Sequence, residues 1–372
     1  MTTFARASVT AGARPLERKY YTDESIYQRE LERIFLERWI CVGRSERIAK
    51  PGDYFLFELG DESVIIVRDR NGTARAHLNV CRHRGTRLCS AERGQLAGSI
   101  QCPYHAWTFG LDGTLLAARN MRDAPGFEKN DYPLFAASLV EWEGFLMLNM
   151  SHEPEPFERA FAPLWGKWTN WRPHELRIGA TIDYEVEANW KLIIENYSEC
   201  YHCPIIHPAL VAISPPDTGK NDLMEGPFLG GPMDLTPNAH SMTLGGKTAR
   251  APIRRLPIED HQRVYYYALF PNTLLSLHPD YVMVHILRPL GPRKTSVRCM
   301  WMFEPEALDK PDFDGQDAVK FWDMTNREDW HACEISQLGI NSRFYQPGPY
   351  AQAEGLLWAF DRHYLESLER KK

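Results

Sequence analysis

Two pairs of metal-competent side chains stand close together in the first third of the chain: Cys81-Arg82-His83 and, after 18 intervening residues, Cys102-Pro103-Tyr104-His105. Each pair follows a strand-like run, so two neighbouring loops could aim four ligands at one point. Two thiolates and two imidazoles suit a tetrahedral zinc ion, or a [2Fe–2S] cluster with cysteines on one iron and histidines on the other. Spacing by itself leaves both open. In a cluster, exchanging two anionic thiolates for neutral imidazoles raises the potential to roughly −150 to +300 mV, against about −400 mV for all-cysteine plant-type ferredoxins. Such a centre can accept electrons from a donor and pass them on.

A second group lies in the run from Glu195 to Pro208, where His202 and His207 are five residues apart. Five residues turn a helix through about 140°, so a straight helix cannot present both to one metal. Pro204 and Pro208 remove the objection by ending or kinking the helix, which lets the second histidine come from the following turn. On a helix, Glu199 and His202 at i and i+3 would share a face. Non-haem Fe(II) takes two histidines and one carboxylate on one side and keeps open positions, so a distant Asp or Glu must supply the third ligand. A rival reading makes Cys200-x-x-Cys203 a redox pair or, with the two histidines, a zinc site.

The elements that must position these groups fall into two regions. Thr22 is placed to cap a helix that starts with Asp23 and Glu24, and Ile26, Leu31, Ile34, Phe35 and Trp39 recur at roughly helical spacing. From about residue 40 to 150 the pattern changes to short β-rich runs, Asp53–Leu59, Ser63–Val67, Ala74–Val80 and Phe145–Asn149, with turn signals at Asn71-Gly72 and Asp112-Gly113. The stretch Ser151–Pro173 reads as a connector. Beyond it, strands mix with longer helical patterns, notably Asn189–Cys203 and about Gln316–Ile340, where Val319, Trp322, Cys333, Gln337 and Ile340 share or flank a face. The expected division is an N-terminal helical segment 1–36, a small antiparallel domain 37–150 and a larger α+β domain 151–372.

The 372 residues exceed the usual limit for one hydrophobic core, which favours two domains. Forty-three basic against 49 acidic residues give a net charge of −6 and no basic stripe for nucleic acid. Apolar runs such as Val64–Val67 and Phe145–Leu148 are far shorter than the ~20 residues of a membrane helix. Met1–Ala7 lacks the apolar segment of a signal peptide, so a cytoplasmic protein is expected. In that reducing compartment the eight cysteines are expected to bind metal rather than to form structural disulfides.

At the first group the chain resembles the Rieske non-haem iron oxygenases, whose pattern is C-x-H, a gap of fifteen to twenty residues, then C-x-x-H. Gly85-Thr86 after the first pair, and His105-Ala106-Trp107-Thr108-Phe109 with Asp112-Gly113 after the second, also match. Downstream, Glu328-Asp329 followed by Glu334-Ile335-Ser336-Gln337-Leu338-Gly339 resembles the family's helix motif, E-D then E-x-x-Q-x-G. The resemblance implies that Cys81, His83, Cys102 and His105 hold a [2Fe–2S] cluster over which Trp107 packs, and that His202, His207 and Asp329 hold one mononuclear Fe(II). It makes Glu199 an inter-subunit electron-transfer bridge towards His105, and it places Asn196 near the iron. It also implies that the catalytic domain 151–372 has a central antiparallel sheet flanked by helices, with the 1–36 segment packed on it.

Aspartate is commoner where Glu199 stands. The Glu-Cys-Tyr-His-Cys run resembles the subgroup that oxidises quaternary ammonium compounds, including carnitine and glycine betaine oxygenases. The implied activity is that of a terminal oxygenase using O₂ and electrons from NAD(P)H. No G-x-G-x-x-G nucleotide fingerprint is present, so a separate flavin/iron–sulfur reductase is implied, as is a head-to-tail homotrimer. The expected substrate is an N-methylated amine or quaternary ammonium compound, undergoing N-demethylation or C–N cleavage. Tyr197, Tyr201, Tyr265, Tyr266, Tyr267 and Tyr281 are candidates for a cation–π cage. Aromatic ring dioxygenation or aromatic demethylation is the runner-up, and a Rieske electron carrier without oxygenase activity is the reading from another class.

Overall fold

The computed structural model describes residues 9–370. The run Met1–Ala7 and the start of the expected 1–36 segment lie outside the described residues, as do Lys371 and Lys372. The chain divides into two compact units, one from the chain up to Ile34 together with the chain from Phe161 onward, the other Phe35–Ala160. Both are built on antiparallel sheets, and the fold is α+β. No helix among the described residues is long and apolar enough to cross a membrane.

The smaller unit has ten strands: β1 (Ile40–Arg44), β2 (Asp53–Leu59), β3 (Glu62–Arg68), β4 (Ala74–Leu78), β5 (Arg93–Gln95), β6 (Ser99–Gln101), β7 (Thr108–Gly110), β8 (Leu115–Ala117), β9 (Ala136–Trp142) and β10 (Phe145–Asn149). Seven form a sheet in the order β1-β10-β9-β4-β3-β2-β5, and β6-β7-β8 form a second. The β-branched run in β3 is buried on both faces, as a central strand requires. Gly72 and Gly113, the second residues of the two turn signals, both take positive φ, +80° and +89°. At Gly113 a Cβ would also meet the His77 ring at 2.7 Å, so glycine is needed there twice over.

The larger unit carries β11 (Arg177–Val186), β12 (Phe228–Asp234), β13 (Arg263–Leu269), β14 (Thr273–Leu277), β15 (Val282–Gly291) and β16 (Lys294–Phe303) in one antiparallel sheet, order β11-β16-β15-β14-β13-β12. The helix Gln316–Ile340 spans the predicted segment and buries Val319, Trp322, Cys333, Gln337 and Ile340. It packs against the helix Trp190–Tyr197 and against β11. From the N-terminal helix Glu24–Glu30, buried Glu30 accepts from Trp190 Nε1, Lys191 Nζ and Tyr364 Oη at 2.8, 2.5 and 2.6 Å.

Three expectations are corrected. Thr22 does not cap the first helix: it ends a short turn, Lys19–Thr22, and Asp23 is the cap, its carboxylate accepting from Ser25 N–H at 2.8 Å. The helix expected over Asn189–Cys203 stops at Tyr197, because Ser198 Oγ bonds back to the Ile194 carbonyl at 2.6 Å and Glu199 takes the Tyr201 and His202 amides instead of the backbone. That non-helical turn brings Cys200 and Cys203 to a Cα–Cα distance of 4.9 Å, and they are joined by a disulfide. The other six cysteines are free.

Candidate metal centres and substrate cavity

The two loops of the smaller unit are built alike. Cys81 N–H donates to the Thr86 carbonyl while the Cys81 carbonyl accepts from Gly85 N–H; Cys102 N–H donates to Trp107 and its carbonyl accepts from Ala106 N–H. In both, the fourth residue after the cysteine is left-handed, Gly85 at φ +73° and Ala106 at +57°. Each tight turn points a cysteine inward and a histidine beside it.

The result gathers all four predicted residues. Cys81 and Cys102 are buried in the core of the unit with Trp107 and Phe109. The His83 and His105 rings lie 4.7 Å apart between centroids. Trp107, 2% exposed, stacks on His83 at 4.9 Å with 7° between planes. The Nδ1 atoms of both histidines are buried without a hydrogen-bond partner. Buried polar atoms are normally satisfied, so two buried imidazole nitrogens without partners, in a unit whose core holds two thiols, fit the donor set of a [2Fe–2S] group. Burial raises the Cys81 thiol, the unfavourable direction for a thiolate unless a metal compensates. Burial and the neighbouring His105 lower His83, which keeps the imidazole neutral and able to ligate.

In the larger unit each histidine precedes a one-turn helix with proline in its first turn: His202 before Cys203–Ile206, His207 before Pro208–Val211. The prolines stop the chain from continuing straight, which solves the five-residue spacing problem. Asp329 comes from the middle of the Gln316–Ile340 helix. Its Oδ1 lies 2.8 Å from His207 Nε2 and 3.4 Å from His202 Nε2, and the three donor atoms all fall within 4.8 Å of one another. Two imidazoles and one carboxylate on one side are the donor set for non-haem Fe(II).

Behind each imidazole stands a carboxylate. Glu199 Oε1 is 2.5 Å from His202 Nδ1, a contact made through the turn rather than along a helix face. Glu328 Oε2 is 2.7 Å from His207 Nδ1. Burial opposes protonation of His202, but Asp329 and Glu199 outweigh it and hold the group up at about 9. His207 is raised against its burial by Asp329 and Glu328. Burial would lift Asp329, yet the two histidines bring it below its ordinary value. Glu328 has no role in the sequence reading; its signal was its place beside Asp329.

A cavity of about 380 Å³ opens on the three donors and is bordered also by Asn196, Glu199 and the Cys200–Cys203 pair. Of the six tyrosines considered for a cage, Tyr197, Tyr201 and Tyr266 border it and Tyr265, Tyr267 and Tyr281 do not. Successive strand residues alternate faces, so Tyr266 on β13 faces the cavity while Tyr265 and Tyr267 turn away to Asp260 and Asp222. Tyr281 is buried and bonds the Met242 carbonyl. Tyr201 is 66% exposed. Sequence reasoning missed Trp322, although Trp322, Thr325 and Asp329 follow i, i+3, i+7 on one helix and all border the cavity.

Comparison with known proteins places each unit in a known family. Residues 38–128 match the Rieske [2Fe-2S] domain, and residues 173–370 match the ring hydroxylating alpha subunit (catalytic domain). The carnitine monooxygenase oxygenase subunit of Escherichia coli (strain K12) is 40% identical over 340 residues, 88% of this chain and 84% of that protein. The glycine betaine monooxygenase oxygenase subunit of Chromohalobacter salexigens is 32% identical over 378 residues, 92% of this chain and 82% of that one. Among solved structures, the quaternary ammonium Rieske monooxygenase CntA superposes with a TM-score of 0.80 at 26% identity over 96% of both chains.

Proposed function

Because this chain belongs to the Rieske oxygenases as a ring-hydroxylating-type α subunit, we propose that it oxidises an N-methyl group of a small amine or quaternary ammonium compound, releasing the carbon as aldehyde. The observation that carries this reading is a cavity in which the His202, His207 and Asp329 donors converge beside acidic and aromatic walls. It is a Rieske-type oxygenase, with a [2Fe–2S] cluster, a mononuclear iron, a reductase partner and a small-molecule substrate. When bound, the cluster supplies single electrons and the iron activates O₂.

Support for the ligand assignment is geometric. Cys81, His83, Cys102 and His105 would hold the cluster, and His202, His207 and Asp329 the iron. Glu199 and Glu328, hydrogen-bonded to the far nitrogens of the two histidines, fix the orientation of the rings and keep their Nε2 atoms turned to Asp329. Trp322 and Tyr266 form a wall that keeps water from the reacting carbon. Asn196, on the last turn of the Trp190–Tyr197 helix, offers an amide to the bound substrate. Glu199 is further assigned the bridge to the cluster of a neighbouring subunit in a homotrimer.

The domains are taken as 37–150 for the cluster and 151–372 for the iron, with the N-terminal segment on the latter. The electron donor is taken as a flavin/iron–sulfur reductase in the cytoplasm, where NAD(P)H is at hand. The overall reaction balances as one N-methyl group, one O₂, two electrons and two protons giving one N-hydroxymethyl group and one water; the hydroxymethyl then leaves as formaldehyde. The test is turnover of trimethylammonium compounds with a flavin/iron–sulfur reductase and NADH. Formaldehyde equal to NADH consumed is expected. Oxidation of toluene or anisole compounds with none of the amines oxidised would overturn the assignment.

A further inference from the structure

Three carboxylates border the cavity, those of Glu199, Asp217 and Asp329, and the basic groups among its lining are the imidazoles of His202 and His207. No Lys or Arg among the described residues lines it. Asp217, an exposed residue of the turn Pro216–Thr218, also borders the cavity. The nearest lysine along the chain, Lys220, is turned to Asp234 at 3.6 Å. We propose that the substrate is an organic cation carrying no carboxylate, an N-methylated ammonium whose far end is a hydroxyl or another uncharged group.

The inference rests on the reading of the site as an amine oxygenase and goes one step further, to the charge of the whole substrate. A ferrous ion would bring two positive charges against three carboxylates, those of Asp329, Glu199 and Glu328, so the surroundings stay net negative even before Asp217 is counted. A carboxylate drawn from water into this space would meet a like charge and no guanidinium or ammonium to pair with it. A cation meets the opposite situation: the aromatic side chains Tyr197, Tyr266 and Trp322 border the space, and Asp217 supplies a counter-charge. The amides of Asn196 and Asn221, also on the wall, suit a hydroxyl, which both donates and accepts.

The test uses matched probes differing at one end: choline against glycine betaine, and (3-hydroxypropyl)trimethylammonium against (2-carboxyethyl)trimethylammonium. Binding is measured by calorimetry on the iron-loaded oxygenase without reductase, and turnover by formaldehyde release with it. The alcohols are expected to bind and turn over at least about tenfold better than their carboxylate partners. Asp217→Asn should shrink that ratio and Asp217→Lys should reverse it, with the cluster spectrum unchanged in both. Equal or better handling of the carboxylates by the unaltered protein would overturn the inference and leave the amine oxygenase standing. Failure of all four probes in binding and turnover, with aromatic methyl compounds oxidised, would overturn that reading and this inference together.

Discussion

The two pairs of histidines in this molecule are treated in opposite ways. In the smaller unit the imidazoles of His83 and His105 meet edge to face, with Nδ1 atoms that find no protein partner. In the larger unit the Nδ1 atom of each imidazole is taken by a carboxylate, and both Nε2 atoms turn to a third. The electrostatics follow: His83 is lowered and His202 is held up at about 9. A cluster whose charge spreads over two irons and two sulfides is suited by neutral nitrogens and thiolates from a dry core. A single hard divalent ion is suited by anionic oxygen and by carboxylates that fix the rings holding it. Donor sets that look similar as letters are therefore set apart by what stands behind the nitrogens.

The sharpest way to break this comparison is to remove the carboxylate that only the second centre has. Asp329→Ala should abolish turnover and empty the mononuclear site while the visible spectrum of the cluster is kept. Metal analysis should then fall from about three irons per chain to about two. Retention of the third iron would remove Asp329 from the ligand set. The converse change, His83→Ala, should bleach the visible spectrum.

A smaller effect is expected one shell out. Glu328→Gln should weaken iron retention roughly 10–100-fold against a chelator, and Glu199→Gln should do the same, with the cluster unaffected. If Glu328→Gln holds iron as tightly as the unaltered chain, the carboxylate behind His207 is a surface charge and the contrast with His83 weakens.

The buried acidity of the larger unit extends to Glu195, on the helix that carries Asn196. Burial pushes this carboxyl up to about 7, although Tyr21 and Lys191 favour its charged form. A raised folded-state value means that its contribution to stability is complete below about 4.5, the ordinary value, and is lost as pH rises through about 7. Glu195→Gln should flatten the fall in stability over that window by up to about 3 kcal/mol. Parallel denaturation curves for the two proteins from pH 4.5 to 8 would contradict the raised value.

The smallest expected change concerns the ring that covers His83. Trp107→Phe should keep both irons of the cluster while altering its visible circular dichroism, and should cost about 1 kcal/mol of stability through the lost stack. An unchanged dichroism spectrum would mean that the indole packs in the core without touching the electronic environment of the cluster.

Much of the cluster site could be read from the chain because it is local. C-x-H and C-x-x-H sit on two short turns, each closed by its own backbone hydrogen bonds, and Asp53–Leu59 and Phe145–Asn149 form the strands that their composition predicted. The iron site was legible in part: Pro204 and Pro208 gave the reason why histidines five apart can converge. The disulfide between Cys200 and Cys203 falls on the pair that the sequence offered only as a rival redox reading, because the run from Asn189 to Cys203 reads as helical. The early stop at Ser198 comes from side chains bonding backbone groups, which helical spacing does not reveal.

By itself the sequence offered the candidate donors and the turns that present Cys81, His83, Cys102 and His105, since turn chemistry and strand alternation act over a few residues; Asp329 came from resemblance to a family motif and not from helical period. Tertiary structure decided that Asp329 meets a histidine 122 positions earlier, that Glu328 backs His207, that Tyr266 and Trp322 rather than Tyr265 or Tyr281 line the cavity, and that the lining is acidic. Those outcomes depend on how a long helix lies against a six-stranded sheet, and residues far apart in the chain share a site only when that packing brings their faces together.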